Sequence, residues 1–390
     1  MADSPTNSLS PALALSLRGR WTAALVLLIV AVPLILLAFR SEGLDFRAFY
    51  VASKASEAHL DPYADNRRFG EQFVDVATES GISRWIYPPS ALLYVAPLGL
   101  FSFATAKILF ELISIAASCW VLFYLGRRFE IHPIWLVLTG ISLPTIACVQ
   151  RGQVDLLILL CVVVAYRFSD KSWSGIPLGI AISIKIFPAA LLLWWLLERR
   201  FKAVATATLF TAVLSLLAAW RFGVSSYISF LHNLTSLHSQ AASGSSVVST
   251  SGPWLSFSPG FVGSYNNPLI LLDNAGVFVG LALTVAAAFL LFFKRVAPEI
   301  GFFSMALISQ TMNTSLWTMG VVMYIPICLL AIGRLRSTVY ALLFLVPLYL
   351  PSQIRIFGVT PRLVLALGWI AWLATREDAS RTSDSATTYA

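Results

Sequence analysis
The stretch WTAALVLLIVAVPLILLAF, residues 21–39, carries no charged side chain, and Arg18, Arg20 and Arg40 flank it. A helix of about 20 apolar residues crosses roughly 30 Å of hydrocarbon. The run is continuous rather than alternating, which suits a helix and not a barrel strand. It is longer than the apolar core of a signal peptide and no small-x-small cleavage site follows it, so it reads as a retained first span. Comparable runs recur along the chain. Only helices and closed barrels satisfy their backbone polar groups in lipid, so the expected fold is an all-α polytopic membrane protein.

The composition agrees. Of 390 residues, 58% are hydrophobic and 12% charged, against roughly 25% charged in soluble domains. The formal net charge of +8 does not point to nucleic acid, because the basic residues lie in short clusters between apolar runs instead of on one soluble face. Cys119, Cys148, Cys161 and Cys328 each fall inside an apolar run. None has disulfide or zinc spacing, so they read as small buried hydrophobes.

Clusters of Lys and Arg stay on the cytoplasmic side of membranes. Arg18 and Arg20 place the N-terminus there. Further clusters are Arg127-Arg128, Arg167 with Lys171, Arg199-Arg200 with Lys202, Lys294-Arg295, Arg334 with Arg336, and Arg376. Keeping all of them inside requires spans near 105–125, 133–149, 154–168, 174–186, 188–197, 203–220, 275–293, 299–314, 317–332, 338–351 and 361–375, about twelve with the first. The organisation expected is a cytoplasmic tail over 1–20, a transmembrane domain over 21–375 with long outer segments at 40–104 and 221–274, and a disordered cytoplasmic tail over 376–390. Residues 88–103 are apolar but fit no span, and read as a helix lying on the outer surface or dipping into it. Ser243 to Gly252, rich in Ser and Gly, reads as a mobile lid.

The polar residues that carry chemistry gather on the outer side. Asp45 follows the first span in the helical-looking segment Asp45-Phe46-Arg47-Ala48-Phe49-Tyr50. A carboxylate at the membrane boundary is either an ordinary interfacial acid or a functional one. Asp61-Pro62-Tyr63 reads as a turn, and Trp85-Ile86-Tyr87-Pro88-Pro89 as an aromatic, extended stretch; aromatic anchoring at the interface explains each taken singly. Arg151-Gly152-Gln153-Val154-Asp155 joins two spans, and polar residues at that depth are expensive unless they face a cavity. Lys185 stands beside the break at Pro188, where it either snorkels or binds an anion. Asn266 and Asn267 precede a later span. His232 and His238 are a weak metal signal. Aromatic and amide groups suit a sugar, and a cation near the membrane surface suits a lipid phosphate.

In this order the motifs resemble glycosyltransferase family 87, the polyprenol-phosphate-mannose-dependent mannosyltransferases of GT-C fold. The resemblance rests on Asp45 to Tyr50, Pro62-Tyr63, Tyr87-Pro88-Pro89, Gly152-Gln153-Val154-Asp155, the glycine-containing helix from Gly175 to Lys185 and Pro188, and Asn266-Asn267. It covers roughly residues 40 to 330. The chain departs from the family in having Asp155 where Asn is usual and Asn267 where Gln is usual. It has Trp317-Thr318-Met319-Gly320 where members often carry a Trp-acid-His-His run.

The resemblance implies a GT-C-like bundle with a catalytic cavity on the periplasmic side of a bacterial inner membrane. It implies transfer of a hexose, mannose by family expectation, from a lipid-linked polyprenyl-phosphate donor to a glycolipid or glycan acceptor with inversion. Asp45 would be the general base. Arg47, Tyr50, Tyr63, Tyr87, Gln153, Asp155, Lys185, Asn266 and Asn267 would bind substrate, with Lys185, Arg47 or Arg84 facing the departing phosphate. A lipid-phosphate leaving group requires neither nucleotide nor metal, so no cofactor is expected; the other partners are membrane lipids. Two readings remain open beside it: a transporter or flippase of lipid-linked solutes, which would place polar residues near mid-membrane and show internal repeats, and a non-catalytic relative that binds lipid-linked sugar. Convergence of Asp45, Gln153 and Lys185 is what the enzyme requires.

Overall fold
The computed structural model describes residues 11–74, 82, 84–233, 255–257, 266–272, 275–313, 316–351, 354–356 and 359–387. The stretch Ser243 to Gly252 and His238 lie outside them. Every expected span coincides with helix, but few of these helices are long. Among the described residues five are long and apolar enough to cross a membrane: Thr22–Arg40, Phe103–Arg128, Phe201–Phe222, Ala275–Phe293 and Thr318–Leu335. A sixth arises if Pro133–Gly140 and Leu143–Arg151, bent by 42° at their junction, count as one span. The others are short, among them Asp155–Arg167, Gly175–Ile184, Ala190–Leu197 and Thr338–Tyr349. The chain is thus a helical, multi-span membrane protein.

Several boundaries differ from expectation for physical reasons. The first helix is described from Pro11 onward and takes in half of the segment read as a tail. The last helix runs Arg362–Thr387; residues 376–387 contain no proline or glycine to stop it, so helix continues where a disordered tail was expected. Residues 88–103 form the broken helix Pro89–Leu100. It packs on Leu44–Glu57, with Ser53 Oγ donating to Ala96 O at 2.9 Å and Tyr50 Oη to Phe101 O at 2.8 Å. The exception to an all-helical chain is one antiparallel pair, Leu255–Phe257 with Ile354–Ile356.

Large apolar side chains point outward from the long helices, among them Leu28, Leu209, Leu216, Trp220, Phe278 and Phe293, as lipid tails require. The loops sort into two ends. Arg336 pairs with Glu130, Arg334 with Glu299, and Arg200 donates to Ser169 O, so the basic clusters expected inside the cell meet at one end. Ser41, Asp45, Tyr87, Arg151, Gln153, Asp155 and Lys185 gather at the other, with Met319 bonded to Cys148 beside them and Arg362 bonded to Thr318 and Leu350.

Close helix packing depends on small residues. A Cβ on Gly175 would stand 2.3 Å from Ala203 O, and one on Gly179 would stand 2.9 Å from Ala207 O. This is the small-residue contact that lets backbones approach in lipid. Overpacking costs about 1–3 kcal/mol. Gly175→Val should therefore lower the thermal midpoint of the detergent-solubilised protein by several degrees, whereas Leu209→Ala, on the lipid-facing side of the partner helix, should leave it nearly unchanged.

Candidate active site
Asp45 owes its position to an elbow. The first helix ends at Arg40, Gly43 turns with φ +60°, and Leu44–Glu57 begins with Asp45 in its first turn, where a carboxylate suits the helix dipole. Lys107 clamps the elbow. Its Nζ donates to Ala38 O at 2.6 Å and Ser41 O at 2.7 Å, satisfying carbonyls at the end of the first helix, and pairs with buried Glu111 at 3.3 Å. Aromatic rings hold the Asp45 helix from behind. Phe46 meets Phe110 at 5.2 Å between centroids, and Phe49 meets Tyr87 at 5.0 Å and Trp85 at 5.6 Å. Each such pair contributes about 0.5–1.5 kcal/mol beyond its burial.

The partner of Asp45 comes from the bent pair of helices. Leu143–Arg151 ends in a left-handed turn at Gly152, φ +69°. Gly152 N donates to Val149 O at 3.2 Å and Gln153 N to Cys148 O at 2.9 Å. Any side chain at 152 would meet Phe46 Cβ at 2.6 Å, so glycine is demanded twice, by conformation and by space. The turn points Arg151 and Gln153 at the same carboxylate. Arg151 Nε donates to Asp45 Oδ2 at 2.7 Å and its Nη2 to Oδ1 at 2.6 Å, a bidentate charge-assisted pair. Gln153 Nε2 donates to Oδ2 at 2.6 Å.

A second ion pair adjoins the first. Lys185 leaves the helix Gly175–Ile184 in extended conformation, just ahead of the proline turn Phe187–Ala189. Its Nζ donates to both oxygens of buried Asp155 at 2.9 Å. Tyr87 joins the pairs: its hydroxyl donates to Gln153 Oε1 at 2.8 Å, and Lys185 Nζ lies 5.4 Å from its ring centre. Burial raises the Tyr87 phenol above its ordinary range, against the pull of Lys185, so it stays a neutral donor. Tyr63 Oη donates to Tyr87 O at 2.7 Å. Beside Tyr63 a hollow of about 510 Å³ opens, lined by Asp61, Arg84, Ser229, His232 and Asn233 among others.

The structure therefore brings together Asp45, Gln153, Tyr87, Lys185 and Asp155, with Tyr63 behind them. It places the other candidates elsewhere. Arg47, two residues on from Asp45 and so on another side of the helix, pairs with Glu42 at 3.2 Å. Tyr50 is bound to Phe101 O. Asn266 donates to Leu316 O and Asn267 to Thr311 O and Asn313 O, so both amides brace backbone rather than meet the acids. Sequence reasoning quoted Arg151 within its motif but gave it no part; the signal was a basic residue at the end of the bundle opposite to the basic clusters. Among the described residues no group of three His, Cys, Asp or Glu side chains is placed to hold a metal.

The family model for glycosyltransferase family 87 matches residues 85–318, which include Tyr87, Arg151, Gln153, Asp155 and Lys185 but not Asp45. A polyprenol-phosphate-mannose-dependent alpha-(1-2)-phosphatidylinositol pentamannoside mannosyltransferase of Mycolicibacterium smegmatis is 30% identical over 125 residues. That alignment spans 30% of this chain and 30% of the relative's length. No solved structure matches the chain.

The double demand on Gly152 is measurable. A left-handed conformation costs a non-glycine residue roughly 1–2 kcal/mol. Gly152→Ala should destabilise the protein by more than Gly368→Ala, because Gly368 lies in a helix without positive φ and meets nothing within 4 Å. Thermal unfolding of the two variants in detergent checks the order; equal midpoints would remove the crowding argument.

Proposed function
The chain belongs to glycosyltransferase family 87, and on that premise we propose that it moves a hexose from a polyprenyl-phosphate donor to an envelope glycolipid or glycan at the periplasmic face of a bacterial inner membrane. Mannose is the sugar suggested by the relative's own activity. One observation carries the reading: Asp45, Arg151, Gln153, Tyr87, Lys185 and Asp155 converge at one end of the bundle from segments spread between positions 45 and 185. A transporter would place such residues at mid-membrane. The GT-C architecture with about twelve crossings belongs to the same proposal.

Asp45 acts as the general base. Arg151 and Gln153 fix the plane of its carboxylate, and Oδ1, which among the described residues accepts only from Arg151, keeps a lone pair for the acceptor hydroxyl. The acceptor oxygen attacks the anomeric carbon from the face opposite the phosphate. Its proton passes to Asp45, the new C–O bond forms, and the bond to the phosphate oxygen breaks. Inversion follows from the single displacement, and polyprenyl phosphate leaves with the bonding electrons. Tyr87 stays protonated and supplies a hydrogen-bond donor next to the base.

Asp45→Asn keeps the side-chain size and removes the base. A positioned base contributes about 10²–10⁴-fold. Purified protein in lipid, given labelled polyprenyl-phosphate sugars and membrane-extract acceptors, should transfer sugar, with Asp45→Asn slower by that factor at unchanged thermal stability. Equal rates would clear Asp45 of the role.

A further inference from the structure
Between Glu299 and Glu377 the chain contains no acidic residue, yet it contains Arg334, Arg336, Arg355, Arg362 and Arg376. Arg334 and Arg336 reach back to Glu299 and Glu130 at the far end. Among the described residues neither Arg355 nor Arg362 meets a carboxylate. Arg362 is fully buried. Its Nε and Nη2 donate to Leu350 O at 2.8 and 2.5 Å, and its Nη1 to Thr318 Oγ1 at 2.8 Å, so every acceptor it has among the described residues is neutral. Arg355 is 7% exposed; its side chain makes no hydrogen bond or ion pair among the described residues, and its Nε is enclosed without a partner. Thr360 Oγ1 and Gln310 Nε2 are also enclosed without partners.

A buried guanidinium without an anion is expensive, and here there are two, Arg355 on a strand and Arg362 at the first residue of the last helix, drawn together by the bridge of Ile356 to Val359. Arg362 stands near the acid cluster. Thr318, which holds Arg362, precedes Met319, whose carbonyl accepts from Cys148 Sγ at 3.7 Å. Cys148 stands one turn before Arg151 and within electrostatic reach of Asp45, Asp155 and Lys185. The cations nearer to Asp45 are already neutralised: Arg151 by Asp45, Lys185 by Asp155, Lys107 by Glu111 and Arg47 by Glu42.

We infer that Arg355 and Arg362 are the seat of a phosphate ester, the charged head of the lipid-linked donor and of the lipid phosphate it becomes. The inference rests on the glycosyl-transfer reading and reassigns its phosphate contact. Lys185 is then a positioning residue for Asp155, not the ligand of the leaving group. Arginine forks fit phosphate bidentately, and Arg362 opens a helix whose N-terminal dipole adds to the attraction. The negative charge on the phosphate rises as the sugar leaves, so a fixed pair of guanidinium groups stabilises the transition state more than the bound donor.

Because the Arg355 side chain makes no hydrogen bond or ion pair among the described residues, it separates binding from folding. The test uses the full chain in lipid nanodiscs, with farnesyl phosphate, farnesol and inorganic phosphate as probes and binding read by calorimetry. Arg355→Met should weaken farnesyl phosphate binding at least tenfold while the thermal midpoint stays level or rises. Arg355→Lys should recover part of the binding. Farnesol should bind alike to all variants. Unchanged farnesyl phosphate binding in Arg355→Met overturns the site. Inorganic phosphate binding as tightly as farnesyl phosphate would make this a free-phosphate site and overturn the lipid assignment. The outcome is independent of transfer: Arg355-dependent binding with no effect of Asp45→Asn on transfer would sink the catalytic reading and leave the phosphate seat standing.

Discussion

Charge taken out of water has to be met by charge, and at one end of this bundle Asp45 and Arg151 meet each other across 106 residues of chain. The bidentate pair joins the elbow after the first helix to the bent pair of helices, and most of the site's geometry depends on that joint. Gln153 reaches Asp45 because Gly152 reverses the chain next to Phe46. Tyr87 reaches Gln153 because Phe49 holds its ring. Lys185 and Asp155 complete the row with a second pair beneath the tyrosine. Without the first pair, two helix ends would each carry a half-buried charge and no reason to converge.

The membrane-spanning character was legible in the sequence because apolar runs are long and basic clusters mark one side. The number of full crossings was not. A run such as 154–168 looks like a span by composition, but the helix that forms is Asp155–Arg167, and its ends are set by where Asp155 must meet Lys185. Broken helices of this kind are tolerated in lipid only where neighbouring protein satisfies the backbone, a fact of packing that one sequence does not display. The broken helix Pro89–Leu100 was anticipated because counting it as a span would have put Arg127 and Arg128 on the wrong side.

The site was legible in outline. Asp45, Tyr87, Gln153, Asp155 and Lys185 were singled out in their motifs, and the resemblance to the family gave them their roles. What could not be read was pairing. Arg151 was quoted in its motif without a part, Lys185 looked like a cation for an anion, and Asn266 and Asn267 looked like substrate amides; the structure gives them to Asp45, Asp155 and backbone carbonyls. Arg355 and Arg362 drew no notice because their burial, and the lack of any acid near them, are tertiary properties. The Trp317-Thr318-Met319-Gly320 segment, which lacks the histidines of its family, is the place where Arg362 docks.

The small ribbon of Leu255–Phe257 on Ile354–Ile356 pairs Ser256 with Arg355, and side chains on a strand alternate between its two faces. The orientation of Arg355 is therefore a question of parity. Slipping the pairing by one residue would turn that guanidinium to the opposite face, while a slip of two would restore it. Insertions in the segments leading to the ribbon leave this parity intact, whereas odd-numbered changes within its strands do not. Among diverging copies of this gene, those six positions have to keep step.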